Sequence, residues 1–462
     1  MQDEQSEFLR FQMELEFIQC LSHMGYLNYL AGMGYFDDPM FIEYLEYLNY
    51  WTQPEYSKFI IFPRCLHFLK LLQSAEFRQS CKNVNFTNFM HRQGYFHWYF
   101  KENSTERGLS PLIDIELGQN YSILTLNRAS NSNALNFEMV ESLVKILQLK
   151  NDDITLILCG QKDEFSIGDD MLWLSLNPRS ISSFCENKAR ALHFLKRQQK
   201  SVCIMQGTVM GSGTGLALSC KIRIATPTTV FSVPENTFGT CQDGSTANFF
   251  ANVLKFPLGL YLSLTGDTIT GADVFLLGIA THYLPSENAV NKLLNELKTS
   301  TNPWQTADKY HSAPQLTNNI LHQATQVLEN TFGKSNSIEK LKENLSSALK
   351  LENDEESVVV KFIKGAIRLI KQQCPLSLKI CMKHLLKCRK LSEKDCLVQG
   401  YNLQNQLYLH KSLNFEIAVR HKLIQKSATA PEWVPDSIES IPNKDLHMFF
   451  ANEEGPKIEL NN

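Results

Sequence analysis

Glycine and proline are scarce in this chain, 22 and 16 among 462 residues, which argues against a propeller or a Pro-rich linker protein and for an ordered, helix-rich fold. No CxxC pair occurs among the twelve cysteines. They are scattered, and Cys20, Cys65, Cys159, Cys203 and Cys220 stand beside apolar residues, so they read as buried thiols of a reducing compartment, not as a disulfide framework. No apolar run reaches the roughly eighteen residues of a membrane span, and neither an internal repeat nor metal-ligand spacing is present. Net charge is also low: 45 Lys+Arg against 48 Asp+Glu leave −3, so nothing draws the chain as a whole to polyphosphate, and neither direct nucleic-acid binding nor a membrane is expected. The opening MQDEQSEFLRFQMELEF lacks the Arg/Ser-rich character of an organelle presequence and the apolar core of a signal peptide, so no import signal is expected there.

What is abundant is unevenly spread. Aromatic residues average 10%, yet they crowd between Phe8 and Phe100, whereas about Ser122 to Leu284 is richer in Val, Ile, Gly and Thr. The shift puts a boundary in the polar stretch Lys101 to Gly108 and suggests three parts, 1–105, 109–285 and 286–462. Hydrophobic spacing in the first predicts short amphipathic helices over Glu7–Ser22, Pro39–Trp51, Pro54–Phe59, Pro63–Gln73 and Glu76–Arg92, with Pro39, Pro54 and Pro63 suited to first helical turns. Phe41, Tyr44, Leu45 and Leu48 share one face, which must be buried. His23, His67, His91 and His97 do not cluster in sequence and read as packing or surface residues. Tyr and Trp beyond the needs of a core favour a second role as a groove for a partner peptide, with core packing alone as the plainer alternative.

From Tyr121 the pattern becomes strand, helix, strand: YSILTLNR alternates, NALNFEMVESLVKILQ has helical spacing and DDITLILCG is an apolar strand. A helix through Leu192, a strand running through glycines into a small-residue helix (SVCIMQGTVMGSGTGLALSC) and two strands in KIRIATPTTVFSVPENTFG complete an α/β layered core. Gly207, Gly211, Gly213 and Gly215 have the wrong order for a dinucleotide fingerprint; they fit a close backbone approach to a ligand at a helix start. Two loops, Ser166 to Asp170 and Met210 to Gly213, can present backbone N–H groups to one oxyanion. Glu235 and Asp243 follow closely enough to reach the same pocket as a carboxylate pair, a combination that lifts them above ordinary surface acids. Beyond Ser286 the chain reads as helical, with a polar loop near Thr299 to Tyr310 and an acidic, Ser/Asn-rich break near Gly333 to Ser357. The basic run Lys361 to Lys390 reads as the solvated face of a helix.

Two resemblances sharpen this reading. Glu14-Leu15-Glu16-Phe17, Tyr26-Leu27-Asn28-Tyr29-Leu30, Gly34-Tyr35-Phe36, Tyr50-Trp51, Pro54-Glu55-Tyr56 and Pro63-Arg64-Cys65-Leu66-His67, continuing weakly to His97-Trp98, resemble the Mediator subunit 31 family of the RNA polymerase II coactivator. That implies a non-enzymatic helical bundle that holds an extended, Pro-containing segment of another Mediator subunit, in the nucleus. Leu126-Asn127-Arg128, Asn133-Ala134-Leu135-Asn136, Phe165 to Asp170, Gly207 to Gly213, Glu235, Asp243, Leu264-Thr265-Gly266, Gly278 to His282, Cys374 to Lys379 and Pro431 to Pro435 resemble the crotonase superfamily, in particular its 3-hydroxyisobutyryl-CoA hydrolase branch. The chain thus looks like a fusion: an all-α N-terminal bundle, an α/β crotonase-like (ββα spiral) core and a helical C-terminal region.

The second resemblance implies hydrolysis of an acyl-CoA thioester, with oxyanion N–H groups on Asp169 and Ser212 and with Glu235 as nucleophile or general base. Asp243 would hold the 3-hydroxyl or assist proton transfer, and Phe165, Ile167, Gly168, Gly211 and Gly239 would line the substrate site. It implies no cofactor, CoA being part of the substrate, contacts between copies through the tail helices, and a mitochondrial setting as the alternative to the nucleus. Several positions depart from the family pattern: Asp169 and Ser212 stand for glycines, Gln242 for Pro, Gly244 for Val, Ser245 and Thr246 for two glycines, Asn414 for Asp, and Gln425 and Ser427 for an acidic pair. A carboxylate at 169 opposes an oxyanion unless it points away. Slow or altered chemistry, a Mediator subunit with a non-catalytic crotonase-like domain, and a hydratase/isomerase-like enzyme stay open as alternatives.

Overall fold

A computed structural model describes residues 2–84, 86–87, 112–118, 120–148, 154–161, 164–315, 319–352, 354–409, 412–427, 429–442, 444–450, 458 and 460. The chain divides into two units, Met1–Gly108 and Leu109–Asn462. The polar stretch 101–108, His91, His97 and Trp98 lie outside the described residues.

In the first unit, α1 (Gln2–Cys20), α2 (Met24–Gly32), α3 (Pro39–Tyr47), α4 (Pro54–Ser57), α5 (Arg64–Leu72) and α6 (Ala75–Ser80) form a helical bundle. Helix α2 was not expected from the spacing; its start is fixed by His23, whose ring accepts the Tyr26 N–H, and Met24, Leu27, Leu30 and Ala31 bury one face. The expected helix over Glu76–Arg92 is interrupted: α6 ends at Ser80, Val84, Phe86 and Thr87 are helical again, and positions 85 and 88–92 lie outside the described residues. Pro39 occupies the first turn of α3 beneath an Asp38 cap. Leu45 and Leu48 are buried as expected, whereas Phe41 and Tyr44 are half-buried and pack on the core that Ile18, Trp51, Phe68 and Leu72 share. Glu14 is buried where the hydroxyls of Tyr47 and Tyr50 donate to it, and Phe8, Tyr29, Tyr35, Tyr47, Phe59 and Phe62 are exposed.

The second unit has a six-stranded sheet in the order β1-β2-β3-β4-β6-β9 and a three-stranded sheet in the order β5-β7-β8. The strands are β1 (Ile113–Leu117), β2 (Tyr121–Leu126), β3 (Thr155–Gly160), β4 (Ser201–Met205), β5 (Thr208–Met210), β6 (Ile222–Ala225), β7 (Val230–Ser232), β8 (Ile269–Thr270) and β9 (His282–Tyr283). β1 joins β2 antiparallel and the others of the large sheet pair parallel. β1 lies ahead of the expected start at Tyr121; its residues alternate apolar and acidic, but as an edge strand it buries only Ile113 fully and leaves Asp114, Glu116 and Leu117 exposed.

Both faces of the large sheet are covered, which is why its inner strands read as continuous apolar runs. Leu124, Leu126, Leu156, Leu158, Cys203 and Met205 enter the main core, while Ile123, Ile157, Val202, Ile204, Ile222 and Ile224 face a second cluster. Main-core residues come from α7 (Phe137–Gln148), α8 (Met171–Leu176), α9 (Ile181–Arg197), α10 (Ser212–Ser219), α11 (Gly244–Asn248) and α12 (Phe256–Thr265). The second cluster is closed by α13 (Glu287–Leu297) and α14 (Pro303–Tyr310). The latter corrects the expected loop at Thr299 to Tyr310: Asn302 caps it, Pro303 opens it and Ala307 is buried. Likewise α15 (Ile338–Leu351) occupies most of the expected break at Gly333 to Ser357, capped by Ser337 with Ile338, Leu341 and Leu345 inside.

The C-terminal region continues with α16 (Val358–Lys371), α17 (Pro375–Cys388), α18 (Glu393–Leu409) and α19 (Asn414–Val419). The basic run is not wholly solvated, since Lys379 is buried and donates to the Ile441 carbonyl and to Glu339, each at 2.6 Å. All twelve cysteines are free; Cys20, which ends α1, is exposed and Cys159 half-buried, against the expectation of burial, and the others are buried. Among the described residues no helix is long and apolar enough to cross a membrane.

Candidate active site

The loop after β3 is stitched to β5: the Ser166 N–H donates to the Thr208 carbonyl at 2.8 Å and the Met210 N–H to the Ser166 carbonyl at 2.9 Å. Asp170 caps α8 through the Trp173 N–H at 2.9 Å and pairs with Arg128 at 2.6 Å, so the Leu126-Asn127-Arg128 segment anchors the loop from below. Gly168 has φ +94°, and a Cβ there would come within 2.9 Å of the Ser212 nitrogen; only glycine lets the two loops touch. The backbone N–H groups of Asp169 and Ser212, the latter opening α10, have no acceptor among the described residues.

Glu235 stands just past β7 and is buried; among the described residues neither of its carboxyl oxygens meets a donor from another residue. A Cβ on Gly211 would lie 4.0 Å from Glu235 Oε1, which places this carboxyl beside the second loop. Burial, aided by the neighbouring carboxylates of Asp243 and Asp169, pushes the Glu235 carboxyl up to about 8. Asp243 is buried as the N-cap of α11: Oδ1 accepts the N–H groups of Ser245 at 2.8 Å and Thr246 at 2.9 Å, and Oδ2 accepts the Thr246 hydroxyl at 3.1 Å. Burial raises its pKa as well, against the pull of those hydrogen bonds and of Lys188.

Asp169 turns its carboxylate toward Lys188 of α9, at 2.5 Å, and toward the Tyr408 hydroxyl of α18, at 3.0 Å. The Lys188 ammonium also donates to Ser212 Oγ at 2.9 Å. Burial weakens this ammonium, but the Asp169 carboxylate, together with Cys185 and Asp243, outweighs that and lifts its pKa above the ordinary lysine value. Neither Lys188 nor Tyr408 was among the residues expected from sequence. Lys188 had a readable signal, for it sits on the apolar stripe of α9 between Ile181, Phe184, Cys185, Leu192 and Leu195, where a charged residue has no reason to be unless something inside pairs with it.

Of the other residues expected to line the site, Phe165 is fully buried, Gly168 and Gly211 flank the two free N–H groups, and Ile167 is 43% exposed at the loop tip. Gly239 follows in the turn after Glu235 and is pressed against the Asn414 backbone, where a Cβ would meet the Asn414 carbonyl carbon at 2.6 Å.

The profile of the family described as Enoyl-CoA hydratase/isomerase matches residues 121–450. This chain belongs to the enoyl-CoA hydratase/isomerase family. A crystal structure of a carnitinyl-CoA dehydratase from Mycobacterium thermoresistibile shares the fold, with TM-score 0.66 and 21% identity over 76% of this chain and 98% of that one. The 3-hydroxyisobutyryl-CoA hydrolase, mitochondrial, of Dictyostelium discoideum is 31% identical over 351 residues, 70% of this chain and 87% of that protein. A second profile, described as SOH1, matches residues 8–102. Over 102 residues, 22% of this chain, the N-terminal part is 46% identical to the Mediator of RNA polymerase II transcription subunit 31 of Arabidopsis thaliana and spans 52% of that protein. A Mediator-like segment is therefore fused to a crotonase-superfamily domain.

Within this enoyl-CoA hydratase/isomerase domain, the departures noted in the sequence have local partners. Ser245 and Thr246 exchange hydroxyl hydrogen bonds with Ser219 at 2.8 Å and Thr214 at 3.1 Å, tying α11 to α10. Gly244 lets α11 approach α18, since a Cβ there would stand 2.1 Å from the Cys396 carbonyl oxygen. Asn414 clamps the Val434 backbone from both sides, donating at 2.7 Å and accepting at 2.8 Å, which needs an amide and not the family's carboxylate.

Proposed function

We propose that the second unit hydrolyses a short 3-hydroxyacyl-CoA thioester of the 3-hydroxyisobutyryl type. The observation that carries this reading is Glu235: among the described residues, a buried carboxyl with no donor from another residue, set beside two loops whose N–H groups at Asp169 and Ser212 lack acceptors. The Dictyostelium relative, named a 3-hydroxyisobutyryl-CoA hydrolase, supports the choice of reaction.

In this mechanism the thioester oxygen accepts the two N–H groups, which draws charge onto oxygen as the carbonyl carbon is attacked. Ionised Glu235 attacks that carbon and CoA leaves as thiolate, after which water cleaves the acyl-enzyme; alternatively Glu235 takes a proton from the attacking water. Asp243 Oδ2, with one hydroxyl already bound, has a lone pair left with which to accept the 3-hydroxyl of the substrate. No cofactor enters the scheme. Thiol release from 3-hydroxyisobutyryl-CoA tests it: the full chain should turn over and Glu235→Ala should not. Equal rates for the two would refute the assignment.

For the first unit we propose binding of an extended, Pro-containing segment of another Mediator subunit in the nucleus, supported by the resemblance over residues 8–102 and by exposed aromatics such as Tyr29, Tyr35 and Tyr47. Residues 1–105 should retain such a segment in a pull-down. Repeated failure to retain it would count against the reading.

A further inference from the structure

We infer that Lys188 is a positioning residue for the oxyanion site: one buried ammonium ties together the side chains of Asp169 and Ser212, whose N–H groups face the thioester, and cancels the Asp169 carboxylate where negative charge is to develop. This rests on the thioester reading given above. The geometry is specific. Lys188 comes from α9, Asp169 from the loop after β3 and Ser212 from the start of α10, so a single side chain spans the elements that carry both donors. Tyr408 holds the same carboxylate oxygen from α18, which leaves Asp169 Oδ2 gripped by an ammonium and a hydroxyl while Oδ1 has no partner among the described residues.

Charge bookkeeping favours a role beyond packing. The groups facing Lys188 are Asp169, Glu235 and Asp243, with Tyr408, Cys185 and Cys241 nearby. Burial drives Glu235, Asp243, Tyr408 and both thiols toward their neutral forms. Without the ammonium, Asp169 would stand as an uncompensated anion next to its own N–H, opposing the oxyanion that the N–H is meant to hold. With it, the aspartate becomes a tether. Both residues depart from what their positions alone would select: a carboxylate at a glycine position and a lysine on an apolar helix stripe, each intelligible only through the other.

Lys188→Met alone strands a buried carboxylate and can fail to fold, so the informative variant is Lys188→Met with Asp169→Asn, which removes both charges. Two readouts on the full chain apply: hydrolysis of 3-hydroxyisobutyryl-CoA, and the near-ultraviolet enolate band of bound acetoacetyl-CoA, a β-ketothioester that enolises where its oxygen is stabilised. The paired variant should bind acetoacetyl-CoA but lose the band, and its kcat should fall roughly tenfold to a hundredfold with KM within about threefold. Unchanged kcat and band, a change confined to KM, or no band in the unmodified protein would each overturn the role of Lys188. An unmodified protein that shows the band but hydrolyses nothing, with the band lost in the variant, supports Lys188 and refutes only the hydrolase reading.

Discussion

Replacing Glu235 by glutamine should change how stability depends on pH more than stability itself. The ordinary glutamate value is 4.5, and burial raises Glu235 to about 8 in the folded chain. Between those values the folded protein keeps a proton that the unfolded chain has released, so raising the pH favours unfolding; the folded state is at its best below 4.5 and loses ground until about pH 8. At about 1.4 kcal/mol per unit, the stabilisation of Glu235→Gln over the unmodified protein should grow by roughly 3–4 kcal/mol from about pH 5 to about pH 8. Asp243 shifts in the same sense but is present in both proteins and cancels in the difference. Urea denaturation of both full-length proteins across this pH range, following the transition of the second unit, gives the number. Parallel stability curves would show that water reaches this carboxyl and that burial does not set its protonation.

If Glu235 acts in its ionised form, kcat/KM for the thioester should rise about tenfold from about pH 7 to about pH 9, and a flat or falling profile would remove it as nucleophile or base. Gly244→Ala should destabilise the second unit by about 1–3 kcal/mol or more, because its methyl has nowhere to go against the Cys396 carbonyl, and thermal melting reads this directly. Asn414→Asp, which restores the family's residue, should lose the hydrogen bond to the Val434 carbonyl and weaken the fold by about 1–3 kcal/mol; protease cleavage near Val434 should quicken, and unchanged cleavage would deny the clamp.

Much of the fold was legible because local and global preferences agree. Leu156 and Leu158 alternate with Ile157 in a strand buried on both faces, and the Gly-rich stretch before Ser212 turns straight into a helix. Glu235 and Asp243 were legible as a carboxylate pair, and the structure brings both into the electrostatic reach of Lys188. The features that escaped have their reason elsewhere in the fold. Pro303–Tyr310 reads as a polar loop until the sheet face it covers is known, and Ile338–Leu351 is disguised by the charged residues of its outer side. Gly239 is glycine at a place where Asn414 comes close from 175 positions further along the chain, a contact no local pattern reveals. Asp169 looked like an obstacle to chemistry because its partner, Lys188, sits on a different element.

The hydrogen bond from Tyr408 to Asp169 joins residues 239 positions apart. That distance sets an order of assembly on the ribosome. The first unit can complete its own core before the second has been made, since Ile18, Trp51 and Phe68 all precede the second unit in the chain. The candidate site waits: Asp169, Lys188 and Ser212 emerge first, and Tyr408 follows only 196 positions after Ser212. For that interval the nascent chain holds a finished helical bundle and a candidate site still without Tyr408.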